Sequence, residues 1–241
     1  MEWTDQAIVL GALKHGEGHA VLDVLSQTNG RAKGYVRGGS SRKQRPTLEA
    51  GNLVEVTWRG RLDEHLGTFR VELVKSVAPE FFKSPARLAA LSALTSLLSG
   101  ILPEREACPD IYQECLTFFT ILGDASLADT GWGSELVRLE VMLLSTLGFG
   151  LDLGTCAATG VTENLIYVSP KTGRAVSAKS GEPYKEKLLT LPAFITGDSN
   201  PTREDIRAGL TLTGHFFAGH LLHHPNPPAL EARARLLSYF S

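Results

Sequence analysis

The sequence is short of several things, and each shortage removes a class of protein. Cysteine occurs only three times in 241 residues, at Cys108, Cys115 and Cys156. So sparse and odd a set makes no disulfide framework, and a reduced, cytoplasmic protein is expected. No apolar run approaches the length of a bilayer span, and Met1-Glu2-Trp3-Thr4-Asp5 has neither a basic n-region nor an h-region, so no secretory signal is expected. Excess charge is missing too: 24 Lys and Arg stand against 26 Asp and Glu, a net charge of −2. A protein basic over its whole surface is excluded, and any nucleic-acid site must be a local patch. There is no Gly-x-x-x-x-Gly-Lys-Ser/Thr loop, no Gly-x-Ser-x-Gly elbow, and no pair of carboxylates or Cys/His set at a catalytic spacing. We therefore expect no enzyme, no catalytic residue and no cofactor, although a site assembled only in space would escape such a search.

What is present is an ordinary globular composition, 43% hydrophobic and 21% charged, long enough for two small domains or one large one. Residues 6–78 read as β. Ala7–Leu13 and Ala20–Leu25 are apolar runs separated by Gly16-Glu17-Gly18, and Thr28-Asn29-Gly30 signals a hairpin. Leu53–Arg59 alternates cleanly, Gly60–Glu64 turns the chain, and Leu66–Val77 makes a fifth strand. Five short strands without a helix among them suggest a small closed barrel.

The basic stretch lies inside this β region. From Gly30 to Arg45 the chain carries Arg31, Lys33, Arg37, Arg42, Lys43 and Arg45 and no acidic residue. Its first half alternates as a strand with one wet face, and Gly38-Gly39-Ser40-Ser41 breaks it into a mobile loop. Glycine lets backbone approach phosphate closely and Lys/Arg displace counterions, so the stretch suits a nucleic-acid backbone. An edge strand charged against aggregation is the competing explanation. Tyr35, Trp58 and Phe69 are candidates for base stacking, but aromatics more often fill the interior of a small barrel.

From Pro79 the pattern becomes helical. Ser84-Pro85 is an N-cap with Pro at N1, opening a helix to about Gly100. Pro109 opens another, and Ser134 a third over Glu135–Leu147, apolar on nearly all sides and hence central. Glu104, Glu106, Asp110, Glu114, Asp124, Asp129, Glu135 and Glu140 outnumber Arg87, Arg105 and Arg138 here. A basic β half and an acidic helical half argue for two domains with different partners. Residues 150–190 are irregular. Cys156-Ala-Ala-Thr159-Gly160 has the shape of a zinc knuckle with its second thiolate gone, and Ser177-Ala-Lys-Ser180-Gly181 repeats the spacing with hydroxyls. One thiolate does not supply the four ligands of structural zinc, so no metal is expected. Thr202 with Asp205 caps a last long helix. His215, His220, His223 and His224 gather near its end, either as a metal pair (His220 and His224) or as partners of the helix dipole.

The order of strands, basic glycine loop and acidic helices resembles the RecO family of recombination and repair mediators. The resemblance is carried by Gly38–Arg42, Leu53–Arg61 and Glu140–Leu153 with Cys156 and Thr159-Gly160, and it extends in layout along the whole chain. It implies an α+β fold: an N-terminal five-stranded OB-fold barrel (residues 1–80), then an α-helical domain (81–241) with an inserted zinc-ribbon-like module at 150–190. Some members bind zinc there through four cysteines; this chain has Cys156, Thr159, Ser177 and Ser180 at those places. The implied function is non-enzymatic: binding single- and double-stranded DNA, annealing complementary strands and, with RecR, loading the recombinase RecA onto DNA covered by single-strand-binding protein. The protein would then be nucleoid-associated. The acidic, apolar-ended C-terminal tail of single-strand-binding protein would dock on the helical half, with Arg87, Arg105, Arg138, Arg203 and Arg207 as available cations. Charge and placement select Arg31, Lys33, Arg37, Arg42, Lys43, Arg45, Arg59 and Arg61 as the DNA contacts. Two other classes stay open: an interaction scaffold that touches no nucleic acid, and a small hydrolase built from the histidines.

Overall fold

The computed structural model describes residues 1–61, 66–77, 81, 84–197, 200–221 and 227–241. Its contacts form two compact units, residues 1–123 with 226–233, and residues 124–225 with 234–241. Helices α1 (Pro85–Ile101) and α2 (Pro109–Gly123) thus group with the strands, whereas the change of pattern in the sequence falls near residue 80.

In the first unit, β1 (Glu2–His15), β2 (His19–Ser26), β3 (Gly30–Val36), β4 (Leu53–Arg59) and β5 (Thr68–Lys75) close a barrel in the order β1-β2-β3-β5-β4. Alternation fills it: Ala7 and Val9, Leu22 and Val24, and Val54, Val56 and Trp58 all point inward. Ile8, Leu10 and Leu25 are buried as well although they fall on the other face of their strands, because α1 packs against β1. Ser84 caps α1, its hydroxyl accepting from the Arg87 N–H with Pro85 in the first turn. At Gly51 (φ +87°) a Cβ would stand 2.7 Å from Leu91 of α1, so only glycine permits that approach.

One join of the barrel is thin. Strands β3 and β5 pair in register only at Tyr35 and Thr68. The rest of the β3 edge is covered by the chain after α1: the Arg105 N–H donates to the Arg31 carbonyl at 2.7 Å, and Arg31 bridges Glu104 in parallel. An exposed row of backbone groups is thereby paired. Gly30 (φ +66°) fits under it because a Cβ would stand 1.9 Å from the Glu106 carbonyl oxygen.

In the second unit, α3 (Asp129–Thr146) packs against α5 (Arg203–Phe216). Helix α3 starts five residues before the Ser134 expected from the sequence. Gly131 and Gly133 conceal that start, since glycine disfavours helix; Gly133 is small because Ile206 and Phe240 come within 3.0 Å of where its Cβ would be. Thr202 and Asp205 form the expected capping box at α5. The 150–190 segment is more regular than its sequence: β6 (Leu165–Val168), β7 (Ala175–Ser177) and β8 (Leu189–Thr190) form a sheet in the order β7-β6-β8, with a single turn of helix, α4 (Ala178–Gly181), between β7 and β8. The final helix, α6, is Pro227–Ser238.

Candidate nucleic-acid interface

The eight cations selected from the sequence separate into two groups. Arg31 is buried, and its guanidinium donates to both carboxylate oxygens of Asp23, at 2.8 to 3.2 Å, and to the Leu102 carbonyl at 3.1 Å. Ser99 of α1 donates to the same Asp23 carboxylate at 2.7 Å. Lys33 is half-buried and paired with Glu104 at 3.0 Å. These two β3 side chains hold the barrel to α1 and to the segment after it. The strand face read as wet is covered, which corrects the expectation that Arg31 meets phosphate.

Arg37, Arg42, Lys43 and Arg45 are exposed, and none makes an ion pair among the described residues. The segment that carries them is built of hydrogen-bonded turns rather than a loose loop. Gly38 (φ +70°) donates its N–H to His19 Nδ1 at 3.1 Å, Ser40 to the Gly18 carbonyl, and Gln44 and Arg45 to the Ser41 carbonyl. Gly39 lies against β2, where a Cβ would be 2.8 Å from that of Ala20. The glycines thus let the turn lie close on the β1–β2 hairpin and hold four charges outward.

Beside this turn runs a cleft of about 720 Å³ between β1, β4 and β5, lined by Thr4, Arg37, Thr57, Arg59 and Arg70, with Glu2 its one carboxylate among the described residues. Arg59 pairs with Glu2 at 2.8 Å and Arg70 with Glu72 at 2.9 Å; all four side chains are at least half exposed. Such surface pairs are weak and screened, and a phosphate can compete with the carboxylate for either guanidinium. Sequence reasoning missed Arg70; its signal was the Thr68-Phe69-Arg70-Val71 alternation, which sends Phe69 inward and Arg70 out. Arg61 is exposed at the end of the described part of its turn. Of the aromatic candidates, Trp58 and Phe69 are core. Tyr35 is half-buried at the rim, between His15 (ring centroids 5.7 Å apart) and His19 (5.1 Å).

The helical cations separate similarly. Arg87 is buried and donates to the Leu122 carbonyl, Arg105 lies 4.9 Å over the Trp58 ring, and Arg138 pairs with Glu135 and donates to the Phe194 carbonyl. Arg203 and Arg207 instead line a groove of about 510 Å³ in the second unit, together with Leu189, Leu212 and Phe240. Arg203 also pairs with Asp129 at 3.1 Å.

The two knuckle-like turns meet. The Cys156 thiol lies 3.5 Å from the Ser177 hydroxyl and accepts the Ser177 N–H at 3.3 Å, and the Ser177 hydroxyl donates to Ser180 at 3.2 Å. Thr159, on the exposed side of its turn, completes the pattern of the two turns. Hydrogen bonds from Thr159 and then Ser177 outweigh burial and hold the thiol below its ordinary pKa. One thiol and three hydroxyls are not a zinc donor set, and among the described residues no buried side-chain oxygen or nitrogen lacks a partner. The residues present do not fit the metal. As for the histidines, His215 is exposed and bonded to the Pro170 carbonyl. His223 and His224, and the side chain of His220, lie outside the described residues. No described helix is long and apolar enough to cross a membrane.

Comparison with known proteins agrees with this architecture along its length. Residues 1–77 match the family model "Recombination protein O N terminal" and residues 83–227 match "Recombination protein O C terminal". The first match spans the five barrel strands and the second begins at α1. The chain is 47% identical over 237 residues to the DNA repair protein RecO of Rhodospirillum centenum, covering 97% of this chain and 93% of that one. It is 43% identical over 243 residues to RecO of Mesorhizobium japonicum (99% and 93%), and 45% over 236 residues to RecO of Hyphomonas neptunium (96% and 96%). Identity at this level over nearly the full length of both chains places the protein in the RecO family of DNA repair proteins.

Proposed function

We propose that the protein is a non-enzymatic recombination mediator that binds single-stranded DNA along its phosphate backbone and anneals complementary strands. The observation that carries this reading is the gathering of outward cations on the turn after β3 and on the neighbouring strands: Arg37, Arg42, Lys43, Arg45, Arg59 and Arg70. In a chain of net charge −2, such a gathering is a local counterion-release site. Guanidinium and ammonium groups that meet phosphate carry no base information, so binding is sequence-tolerant. Two strands held this way keep their base edges free to pair, which is what annealing requires. Labelled single-stranded DNA titrated at two salt concentrations tests the reading; binding that weakens steeply with salt supports it, and no binding at low salt leaves the scaffold alternative.

The groove beside α5 supports a second contact. Its apolar floor (Leu189, Leu212, Phe240) and its two guanidiniums (Arg203, Arg207), which outnumber the Glu204 carboxylate beside them, suit a peptide that is acidic along its length and apolar at its end. The tail of single-strand-binding protein has that chemistry. Docking it there, with RecR as the further partner, brings the mediator to coated DNA on which RecA is loaded. Because Arg203 is already engaged by Asp129, Arg207 is the sharper probe. Arg207→Glu should weaken tail-peptide binding about tenfold, since it sets a carboxylate against an acidic peptide where a guanidinium stood, a reversal worth about 1.4 kcal/mol. Affinity for bare single-stranded DNA should be unchanged. Anisotropy with a labelled peptide reads the first, and equal loss of both would argue for one shared site.

A further inference from the structure

The 150–190 module of the second unit contains an arrangement that DNA binding does not use. Cys156-Ala-Ala-Thr159-Gly160 and Ser177-Ala-Lys-Ser180-Gly181 are two turns of one design, each with two polar side chains three residues apart followed by glycine. Gly160 takes φ +74°, and the Gly160 N–H closes the first turn on the Cys156 carbonyl at 2.8 Å. Gly181 is buried, with Tyr167 where its Cβ would be. The β-pairing of Leu165 with Ser177, the Ala157 N–H on the Ala175 carbonyl (2.8 Å) and the Ala178 N–H on the Asn164 carbonyl (2.8 Å) set the two turns face to face. Cys156, Ser177 and Ser180 then converge on one another, with Thr159 at the end of the first turn beside them.

We propose that the hydrogen-bonded set of Cys156, Ser177 and Ser180, with Thr159 at the fourth position, occupies the place of a tetrahedral metal, so that the module is metal-free as it stands yet keeps a latent zinc geometry. The separations support it. Zinc bound to thiolates at about 2.3 Å sets neighbouring sulfurs about 3.8 Å apart. Cys156 Sγ to Ser177 Oγ is 3.5 Å and Ser177 Oγ to Ser180 Oγ is 3.2 Å, a few tenths of an ångström short. The longer C–S bond and a small opening of the turns make up the difference. The ligand class is a divalent ion that prefers thiolate, zinc or its cobalt stand-in. What separates the chain from binding it is three oxygen-for-sulfur replacements and not the backbone. The Cys156–Ser177 hydrogen bonds supply the cross-link between turns that a metal would supply by coordination.

The test uses the full chain. Wild type titrated with Co²⁺ under reducing, anaerobic conditions should show no thiolate-to-cobalt charge-transfer band, and its Tm should not move on adding chelator. The variant Thr159→Cys/Ser177→Cys/Ser180→Cys should bind one equivalent of Co²⁺ with tetrahedral d–d bands, release it to Zn²⁺, and bind it more weakly, with a weaker charge-transfer band, when Cys156→Ser is added. A variant that folds only with zinc present also supports the proposal, since metal binding and folding are then one equilibrium. Should the triple variant stay insoluble, Ser177→Cys/Ser180→Cys leaves three thiolates with Cys156 and should give a weaker form of the same spectrum. About one equivalent of tightly held zinc in wild type overturns the metal-free half. Folded cysteine variants that show no cobalt–thiolate band overturn the latent geometry.

Discussion

At the scale of single residues, the decisive distinction is between a charge that is spent inside the protein and one that is offered to a ligand. Arg31 and Arg37 stand six positions apart in one basic stretch, and the sequence treats them alike. Structure separates them because Asp23 on β2, itself held by Ser99 of α1, and the Leu102 carbonyl just after α1 converge on Arg31, a meeting across 71 positions in the case of Leu102 that no local pattern displays. Arg31→Ala would leave the Asp23 carboxylate buried with only the Ser99 hydroxyl. Removing one partner of a buried pair costs about 3–5 kcal/mol, so the variant should show a markedly lower midpoint in urea with an unchanged slope. An Arg31→Ala protein as stable as wild type, but weak on DNA, would reverse the assignment. Trp58 and Phe69 teach the same lesson from the apolar side: residue type admitted both stacking and core, and barrel closure decided for core.

At the scale of elements, local signals were the most legible. The strand Leu53–Arg59, the Ser84-Pro85 start and the Thr202–Asp205 box appear in the structure as read, because alternation and capping are properties of a few adjacent residues. Strand β1 runs from Glu2 to His15, well beyond Ala7–Leu13; its polar ends are held by cross-strand pairing with β4 and β2, which a hydrophobic pattern does not register. The turn between β2 and β3 shows how such a long strand helps the fold. Asp5, near the start of β1, accepts hydrogen bonds from the Ser26 hydroxyl, from the N–H and hydroxyl of Thr28 and from the Asn29 amide. Burial raises its pKa, but these donors together outweigh burial and hold it below the ordinary value. A carboxylate with a lowered folded pKa adds stability that is fully present above the unfolded value, about 3.9, and is lost as pH falls through the folded value. Wild-type Tm should therefore fall between pH 5 and 2 more steeply than that of Asp5→Asn, which has no such proton to take up. Parallel curves for the two proteins would show that the turn does not depend on the charge.

At the scale of the whole molecule, the family, the barrel and the helical half were readable from the order of weak motifs, and the interface was readable only in part. The turn carrying Arg37, Arg42, Lys43 and Arg45 announces itself by composition. The cleft beside it does not, because Arg37, Arg59 and Arg70 come together only when β1, β4 and β5 close. DNA binding is thus assigned to these outward cations and a structural role to those of β3. The most direct test of this assignment is the slope of log Kobs for single-stranded DNA against log salt, measured for wild type, Arg42→Ala/Lys43→Ala/Arg45→Ala, Arg37→Ala/Arg59→Ala/Arg70→Ala and Lys33→Ala. Each phosphate contact on a single strand contributes about 0.7 to that slope. Both triple variants should flatten it by roughly 2, while Lys33→Ala leaves it unchanged. Triple variants with the wild-type slope, or a Lys33→Ala protein whose slope falls by about 0.7, would contradict the account.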